Sequence, residues 1–151
     1  MWQTIIAVAG TLAGALAAGL IQARIARTAR DAVRADDHRR TAIDAVTDLA
    51  VAVSDHRRAM WKVGDAQLTA ADTDRVQALR DEAHRTRSAI TAPAVRVQLL
   101  APAVQPAAHT AIQATYAMRH PESLEELEEL RSTALATHNE LVSLASRHLA
   151  P

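Results

Sequence analysis

Apolar positions follow one pattern at the start of the chain and another in the rest. Residues 4–21 read TIIAVAGTLAGALAAGLI, without a single charge. From Ile43 onward, apolar residues recur every three or four positions, at Val46, Leu49 and Val53. The first pattern indicates a helix that is apolar on every side, and the second an amphipathic helix with one buried face. The sequence predicts an all-α protein, with an N-terminal single transmembrane helix that continues into an antiparallel helical bundle.

Gly64 and Pro93 mark the ends of the first two predicted helices. The first helix is expected from about residue 3 to about residue 63, with a stop or kink at Gly64. The second begins after a cap from Thr69 or Asp72. It ends near Thr91, because Pro93 disfavours helix at the residue before it.

Two further helices are predicted in the last third of the chain. Residues 94–105 contain VRVQLL, which allows a strand, but flanking prolines and the lack of a partner strand favour a short helical segment. Pro106 suits the first turn of a helix that runs through Arg119. Pro121 or Ser123 begins the last helix, whose early glutamates complement the helix dipole. Its bundle face, or alternatively a coiled-coil seam, consists of Leu127, Leu130, Ala134, Thr137, Leu141 and Leu144.

Residues 3–22 are predicted to span a membrane. Eighteen uncharged residues give about 27 Å of helix, close to the ~30 Å of a hydrocarbon core. Six arginines against three aspartates follow in residues 22–40, and positive flanks stay on the cytoplasmic side. The expected protein is single-pass in the cell membrane with its N-terminus outside. Residues 23–40 form a basic juxtamembrane helix, and residues 41–151 form a cytosolic helical bundle.

Two other interpretations of the opening stretch stay open. Ala15-Leu16-Ala17 resembles a signal-peptide cleavage site, although no positive charge precedes the apolar stretch. The stretch could also be a buried core helix, although the remaining chain is poor in the apolar residues needed to surround it.

Two candidate interaction sites lie near the N-terminus. One is a helix-packing seam, which contains a GxxxG pair and predicts a homo-oligomer. This small-residue seam consists of Ala7, Gly10, Gly14 and Ala17. The other is a set of basic residues at helical spacing, expected to contact anionic lipid headgroups or a partner if it is not simply a solvated face. This arginine stripe consists of Arg24, Arg27, Arg30 and Arg34.

Composition restricts both the core and the chemistry. Trp2, Trp61 and Tyr116 are the only aromatic residues, and cysteine is absent. The core must therefore be built from Ala, Leu, Val and Ile, which predicts closely spaced helices and moderate stability. The 17 basic residues balance the 17 acidic residues, so net charge provides no general attraction to nucleic acid, which is not an expected partner.

No residue cluster predicts a catalytic, cofactor or metal site. Asp81 and His84 are three residues apart, but two ligands fall short of the three or four that a zinc site needs. No serine has the glycine-flanked turn of a hydrolase nucleophile, and no glycine-rich phosphate loop occurs outside the opening stretch. We therefore expect a protein that is not an enzyme and uses no cofactor.

The basic run His56-Arg57-Arg58 is the other candidate contact site. It could contact a phosphate group or a partner. In the alternative interpretation, Met60 and Trp61 enter the core while the two arginines stay in solvent.

Several stretches together resemble the KilB-type proteins of actinomycete conjugative plasmids and integrated elements. These are QTIIAVAGTLAGALAAGL, the arginine-rich stretch behind it, AVTDLAVAVSDHRRAMW and HRTRSAITAP. The resemblance spans about residues 4–116. It implies one membrane segment, a helical cytosolic part, a role in plasmid spread, and toxicity when expression is uncontrolled. It supplies no catalytic residues.

The expected function is therefore non-enzymatic. The protein would act in conjugative plasmid transfer by oligomerising in the membrane and contacting other plasmid transfer proteins. One alternative is a membrane-tethered regulator or nucleic-acid adaptor that uses Arg57, Arg58 and the arginine stripe. Another is a small toxic pore-forming or holin-like protein.

Overall fold

The computed structural model describes the backbone of residues 2–150; for residues 2–18, 20 and 21 the side chains lie outside the description. Within residues 2–150 the chain forms four helices and no strand. The helices are α1 Trp2–Leu68, α2 Thr73–Leu100, α3 Gln105–Tyr116 and α4 Leu124–Leu149. The predicted all-α class is therefore confirmed. The chain divides into two compact units, Met1–His38 and Arg39–Pro151.

The predicted transmembrane helix receives no support from the structure. Among the residues that are described, none of the helices contains a stretch long and apolar enough to cross a bilayer. The side chains of nearly all of residues 3–22, and with them the small-residue seam, lie outside the described part of the chain.

Within the unit Arg39–Pro151, α1 and α2 run antiparallel. Lys62 Nζ lies 3.1 Å from Glu82 Oε1, near the turn that joins the two helices. Asp48, further back along α1, pairs with Arg96, further forward along α2. The residue numbers of the contacting partners thus fall along α1 as they rise along α2, as in an antiparallel pair of helices.

α4 also runs antiparallel to α1 in this unit. The Arg131 guanidinium lies 5.8 Å from the centre of the Trp61 ring. Further along α4, His138 Nε2 lies 3.2 Å from the carbonyl oxygen of Ala50, which precedes Trp61 in α1. α3 packs against α4 and α2. These contacts form the predicted helical bundle.

Alanine makes up much of the bundle core. Among the described residues, ten of the twenty buried apolar residues are alanines. The main cluster joins α1, α2, α3 and α4 through residues such as Leu49, Ile90, Val97, Ala111 and Leu141. Because alanine side chains are short, helices that pack through them lie close together and bury little apolar area per residue.

Gly64 lies inside α1, and the predicted end of the first helix at this residue is wrong. α1 continues to Leu68 because the residues after Gly64 still face the core, as the burial of Ala66 shows. A Cβ added at Gly64 would lie 2.8 Å from Leu127 Cδ1 and 3.2 Å from Pro121 Cγ. The glycine therefore permits α4 and the loop before it to approach α1 closely.

Pro93 lies inside α2, and the predicted end near Thr91 is also wrong. The helix continues to Leu100. A proline removes the hydrogen bond to the carbonyl four residues earlier, and that carbonyl belongs to Ala89, an exposed residue that water can solvate. Beyond the proline, Val97 is fully buried in the main cluster. Packing of this turn offsets the lost hydrogen bond.

Most of residues 94–105 is helical, as the sequence favoured, but as the last part of α2 and not as a separate segment. α2 ends at Leu100 with Ala101 as its C-cap, and Val104 is the N-cap of α3. α3 has a proline in its first turn, as predicted, but ends at Tyr116 and not at Arg119. Backbone of positive φ at His120 then turns the chain toward α4.

Two predicted helix caps are present in the structure. The Asp72 side chain accepts a hydrogen bond of 2.9 Å from the backbone N–H of Asp74. The Ser123 hydroxyl accepts one of 3.1 Å from the N–H of Glu126. The Glu126 carboxylate in turn accepts one of 2.6 Å from the N–H of Glu122. This reciprocal arrangement is close to a capping box and fixes the start of α4.

Candidate functional site

A cavity of about 410 Å³ opens between α1, α2 and the turn after α3. Six basic side chains line it, and no carboxylate is among the lining residues. They are His56, Arg80, His84, Arg87, Arg119 and His120. Apolar residues such as Met60, Val63 and Met118 form much of the remaining wall. We call this site the basic cavity.

Helix α2 supplies one side of the basic cavity through residues on a single face. Arg80, His84 and Arg87 are spaced by four and then three residues, so they share one side of the helix. The two acidic residues beside them are bonded elsewhere. Asp81 accepts a hydrogen bond of 3.0 Å from Gln77, and Glu82 pairs with Lys62.

His56 is the buried basic residue of the cavity. It lies on α1 with only 2% of its surface exposed. Its Nδ1 lies 3.0 Å from the hydroxyl oxygen of Thr86. Its Nε2 is buried without a hydrogen-bond partner. A buried polar atom without a partner costs about 1–3 kcal/mol, which is why this nitrogen is of functional interest.

The hydrogen bonds of Thr86 fix the tautomer of His56. The Thr86 hydroxyl oxygen lies 3.1 Å from the carbonyl oxygens of both Glu82 and Ala83. A carbonyl only accepts, so the hydroxyl proton is directed toward α2 and its oxygen accepts from His56 Nδ1–H. In the neutral ring, Nε2 is then a bare acceptor, and it needs a donor.

Burial, followed by the positive charge of Arg87 and by His84, lowers the pKa of His56 from 6.5 to about 4. The imidazole is therefore neutral at pH 7, in the tautomer that Thr86 imposes. Its lone pair at Nε2 faces surroundings that are otherwise rich in positive charge.

Tyr116 positions two of the arginines. The Arg87 guanidinium lies 4.2 Å from the centre of the Tyr116 ring, and the Arg119 guanidinium lies 5.9 Å from it. The His56 ring meets the same tyrosine edge-on, with centroids 5.5 Å apart. Cation–π contacts hold two like charges near one ring, and an anion between them would relieve their repulsion.

The turn after α3 brings Arg119 and His120 to the cavity. Met118 is fully buried and anchors this turn in a cluster with Leu127 and Ala134. The exposed residues Arg119 and His120 therefore directly follow a residue that the core holds in place.

The arginine stripe lies on the exposed surface of α1. All four of its arginines are exposed, and Arg34 makes an exposed contact of 3.4 Å with Asp31. Two apolar side chains on the same stretch are exposed as well, Ile25 by 64% and Val33 by 60%. At 100° per residue, Ile25 and Val33 lie on the other side of the helix from the arginine stripe, so this stretch is amphipathic.

The basic run His56-Arg57-Arg58 does not act as one surface. Arg58 is exposed and lies 3.8 Å from Asp55. Arg57, predicted to stay in solvent, is half-buried, and its Nη1 is buried without a partner. Its Nη2 donates to Ser54 at 3.0 Å. Burial, then Arg131 and Arg58, lowers the pKa of Arg57.

His84 contributes to the basic cavity and not to a cluster of metal ligands. Among the described residues, no group of three or more His, Cys, Asp or Glu side chains converges. The pair formed by Asp81 and His84 thus acquires no third ligand there.

Sequence reasoning missed the basic cavity, although part of its signal is visible in the sequence. The spacing of Arg80, His84 and Arg87 is that of a basic stripe on α2, like the one on α1. His56 could not be paired with Thr86 or with Tyr116, because these residues come from different helices that are distant in the sequence.

The fold and the cavity define an all-helical protein whose bundle unit carries a basic cavity at one end of its α1–α2 hairpin. Residues 43–149 match the KilB plasmid transfer protein family. A relative, Protein KilB of Streptomyces lividans, is 49% identical over 147 residues, which cover 97% of each chain. No solved structure matches. The chain belongs to the KilB plasmid transfer protein family, as its resemblance indicated.

Proposed function

We propose that this protein is a non-enzymatic, membrane-anchored component of plasmid transfer that acts by assembling with itself and with other transfer proteins. The family supports the role in plasmid transfer. The uncharged residues 4–21, directly followed by arginines, support the membrane anchor. In this proposal the N-terminus is outside the cell and the bundle is cytosolic.

One observation carries the membrane part of the proposal. The arginine stripe is exposed on the same helical stretch as Ile25 and Val33. Arginines attract anionic headgroups by about 1 kcal/mol each near a membrane surface, and exposed apolar side chains gain from entering the interface. This combination suits a helix that lies next to a bilayer.

Binding to vesicles tests the anchor and the stripe separately. The full chain should co-float with vesicles that contain phosphatidylglycerol, and deletion of residues 2–22 should abolish this at high salt, where attraction between the arginine stripe and the headgroups is screened. A variant with Arg24, Arg27, Arg30 and Arg34 replaced by glutamine should still insert, but its preference for anionic over neutral vesicles should shrink. Full recovery of the protein in the lipid-free fraction would refute the anchor.

Cysteine labelling tests the orientation, because the natural chain contains no cysteine. A membrane-impermeant reagent should label Gln3→Cys in intact cells. Ser132→Cys, at an exposed position of α4, should be labelled only after permeabilisation. Labelling of Ser132→Cys in intact cells would reverse the topology.

Crosslinking tests self-association through the small-residue seam. Oxidation should crosslink Gly10→Cys, because small residues allow two helices to approach closely. Leu12→Cys, placed by the helical repeat away from the seam, is the matched control and should stay monomeric. Equal crosslinking of both variants would mean that the seam does not set the contact.

A further inference from the structure

The basic cavity concentrates positive charge that the protein itself leaves uncompensated. Its three arginines, Arg80, Arg87 and Arg119, make no ion pair with a carboxylate in the described part of the chain. Guanidinium groups match phosphate oxygens through paired hydrogen bonds. Tyr116 already holds two of the three in place, so little side-chain entropy is lost when they bind an anion.

His56 adds a requirement that a simple anion does not meet. His56 lines the cavity, and its bare Nε2 is a buried acceptor without a hydrogen-bond partner. Sulfate at neutral pH carries only acceptor oxygens, so it leaves this nitrogen without a partner. A phosphate monoester is largely a dianion without a P–OH at pH 7, so its oxygens accept from the arginines and a hydroxyl of its organic part donates to Nε2.

The size of the cavity agrees with a small organic phosphate. A volume of about 410 Å³ lies toward the lower end of the ~300–1,000 Å³ range of small-ligand sites. It leaves room for a small group beyond the phosphate itself. Met60, Val63 and Met118 provide an apolar wall for that group.

We propose that the basic cavity binds a phosphate monoester, whose phosphate is held by the three arginines and whose hydroxyl donates to Nε2 of His56. This site is independent of the membrane anchor. Loss of vesicle binding and loss of phosphate binding are measured separately, so failure of one proposal leaves the other standing.

Calorimetry on the full chain in a maltoside detergent, which contains no phosphate, tests the site. Inorganic phosphate and ribose 5-phosphate should bind, and sulfate should bind at least about tenfold more weakly because it offers no donor to His56. The absence of phosphate binding, or equal affinity for sulfate, would overturn the proposal.

Single substitutions distinguish a specific phosphate site from nonspecific attraction of anions to the positive charge of the protein. Arg87→Gln and Arg119→Gln should each weaken phosphate binding about tenfold or more, since each removes a charge-assisted hydrogen bond. Arg85→Gln is the matched control, because Arg85 lies on α2 but is exposed and outside the cavity lining. If Arg85→Gln weakens binding as much as Arg87→Gln, the cavity is not the site.

A measurement on the protein without substitutions does not depend on whether the variants fold. In ¹⁵N-histidine spectra, Nε2 of His56 should resonate as an unprotonated ring nitrogen and shift when phosphate is added. A His56 signal that phosphate leaves unmoved would refute the assignment, whatever the variants do.

The phosphate monoester could come from a soluble metabolite or from a lipid headgroup. Competition between ribose 5-phosphate and short-chain lysophosphatidic acid, both of which carry a free hydroxyl, identifies the source. The stronger competitor marks the source, and either order supports a monoester site. If neither displaces inorganic phosphate, the cavity does not accept a monoester and the proposal fails.

Discussion

His56 makes the stability of the bundle depend on pH. Its pKa is about 4 in the folded protein and 6.5 in the unfolded chain. Between these values only the unfolded chain is protonated, so the free energy of unfolding rises with pH in this window and falls as the protein is acidified. The loss between pH 7 and pH 4 should approach about 3 kcal/mol, measured by urea unfolding at each pH.

His56→Gln is the control for this prediction. Glutamine can donate to Thr86 as the imidazole does, but it does not titrate. The other ionisable groups are the same in both proteins, so the difference between the two pH profiles isolates His56. Parallel profiles from pH 7 to pH 4 would show that the histidine is protonated equally well in the folded and unfolded chains.

Gly64 is a second residue whose substitution should change the stability of the bundle, because a single added carbon atom would contact α4 and the loop before it. Alanine should gain up to about 1 kcal/mol from helix propensity, but its Cβ would lie within 3.2 Å of three side-chain carbons of Leu127 and Pro121. Overpacking costs about 1–3 kcal/mol. Because Leu127 is fully buried, we expect Gly64→Ala to destabilise the protein by about 1 kcal/mol in urea unfolding.

A double-mutant cycle separates crowding from propensity at this residue. In a Leu127→Ala background the closest crowding atoms are gone, so Gly64→Ala should become neutral or stabilising. If it is equally destabilising in both backgrounds, contact with Leu127 is not the cause.

At the scale of the element, the Ser123 cap sets where α4 begins. Ser123→Ala removes the hydrogen bond to the N–H of Glu126 and should lower the free energy of unfolding by about 1 kcal/mol. Ser132→Ala, an exposed substitution in the interior of the same helix, should change it by less than about 0.5 kcal/mol. Thermal or urea unfolding of the two variants checks the prediction, and equal effects would contradict it.

Helix ends were predictable where local interactions decide them and not where tertiary packing does. Asp72 and Ser123 cap their helices through bonds to residues two or three positions away, so the sequence alone reveals them. Gly64 and Pro93 are local helix breakers. Both lie inside helices here, because the residues beyond them, Ala66 and Val97, are buried in the core.

At the scale of the whole molecule, the all-α class followed from periodicity, but the basic cavity did not. Its arginines become a site only after α1, α2 and the turn after α3 meet at Tyr116. A single sequence does not specify which faces of its amphipathic helices meet. The membrane segment and the small-residue seam remain predictions.

The core of the bundle should fold without the N-terminal unit. All described buried side chains lie between Ala42 and Ala145, so a fragment of residues 39–151 retains them. We expect it to unfold in urea at the same midpoint as the bundle in the full chain. A fragment of residues 47–151 loses three buried residues, Ala42, Ala45 and Val46, and should be less stable by roughly 2–4 kcal/mol. An unfolded 39–151 fragment would mean that the core depends on residues before Arg39.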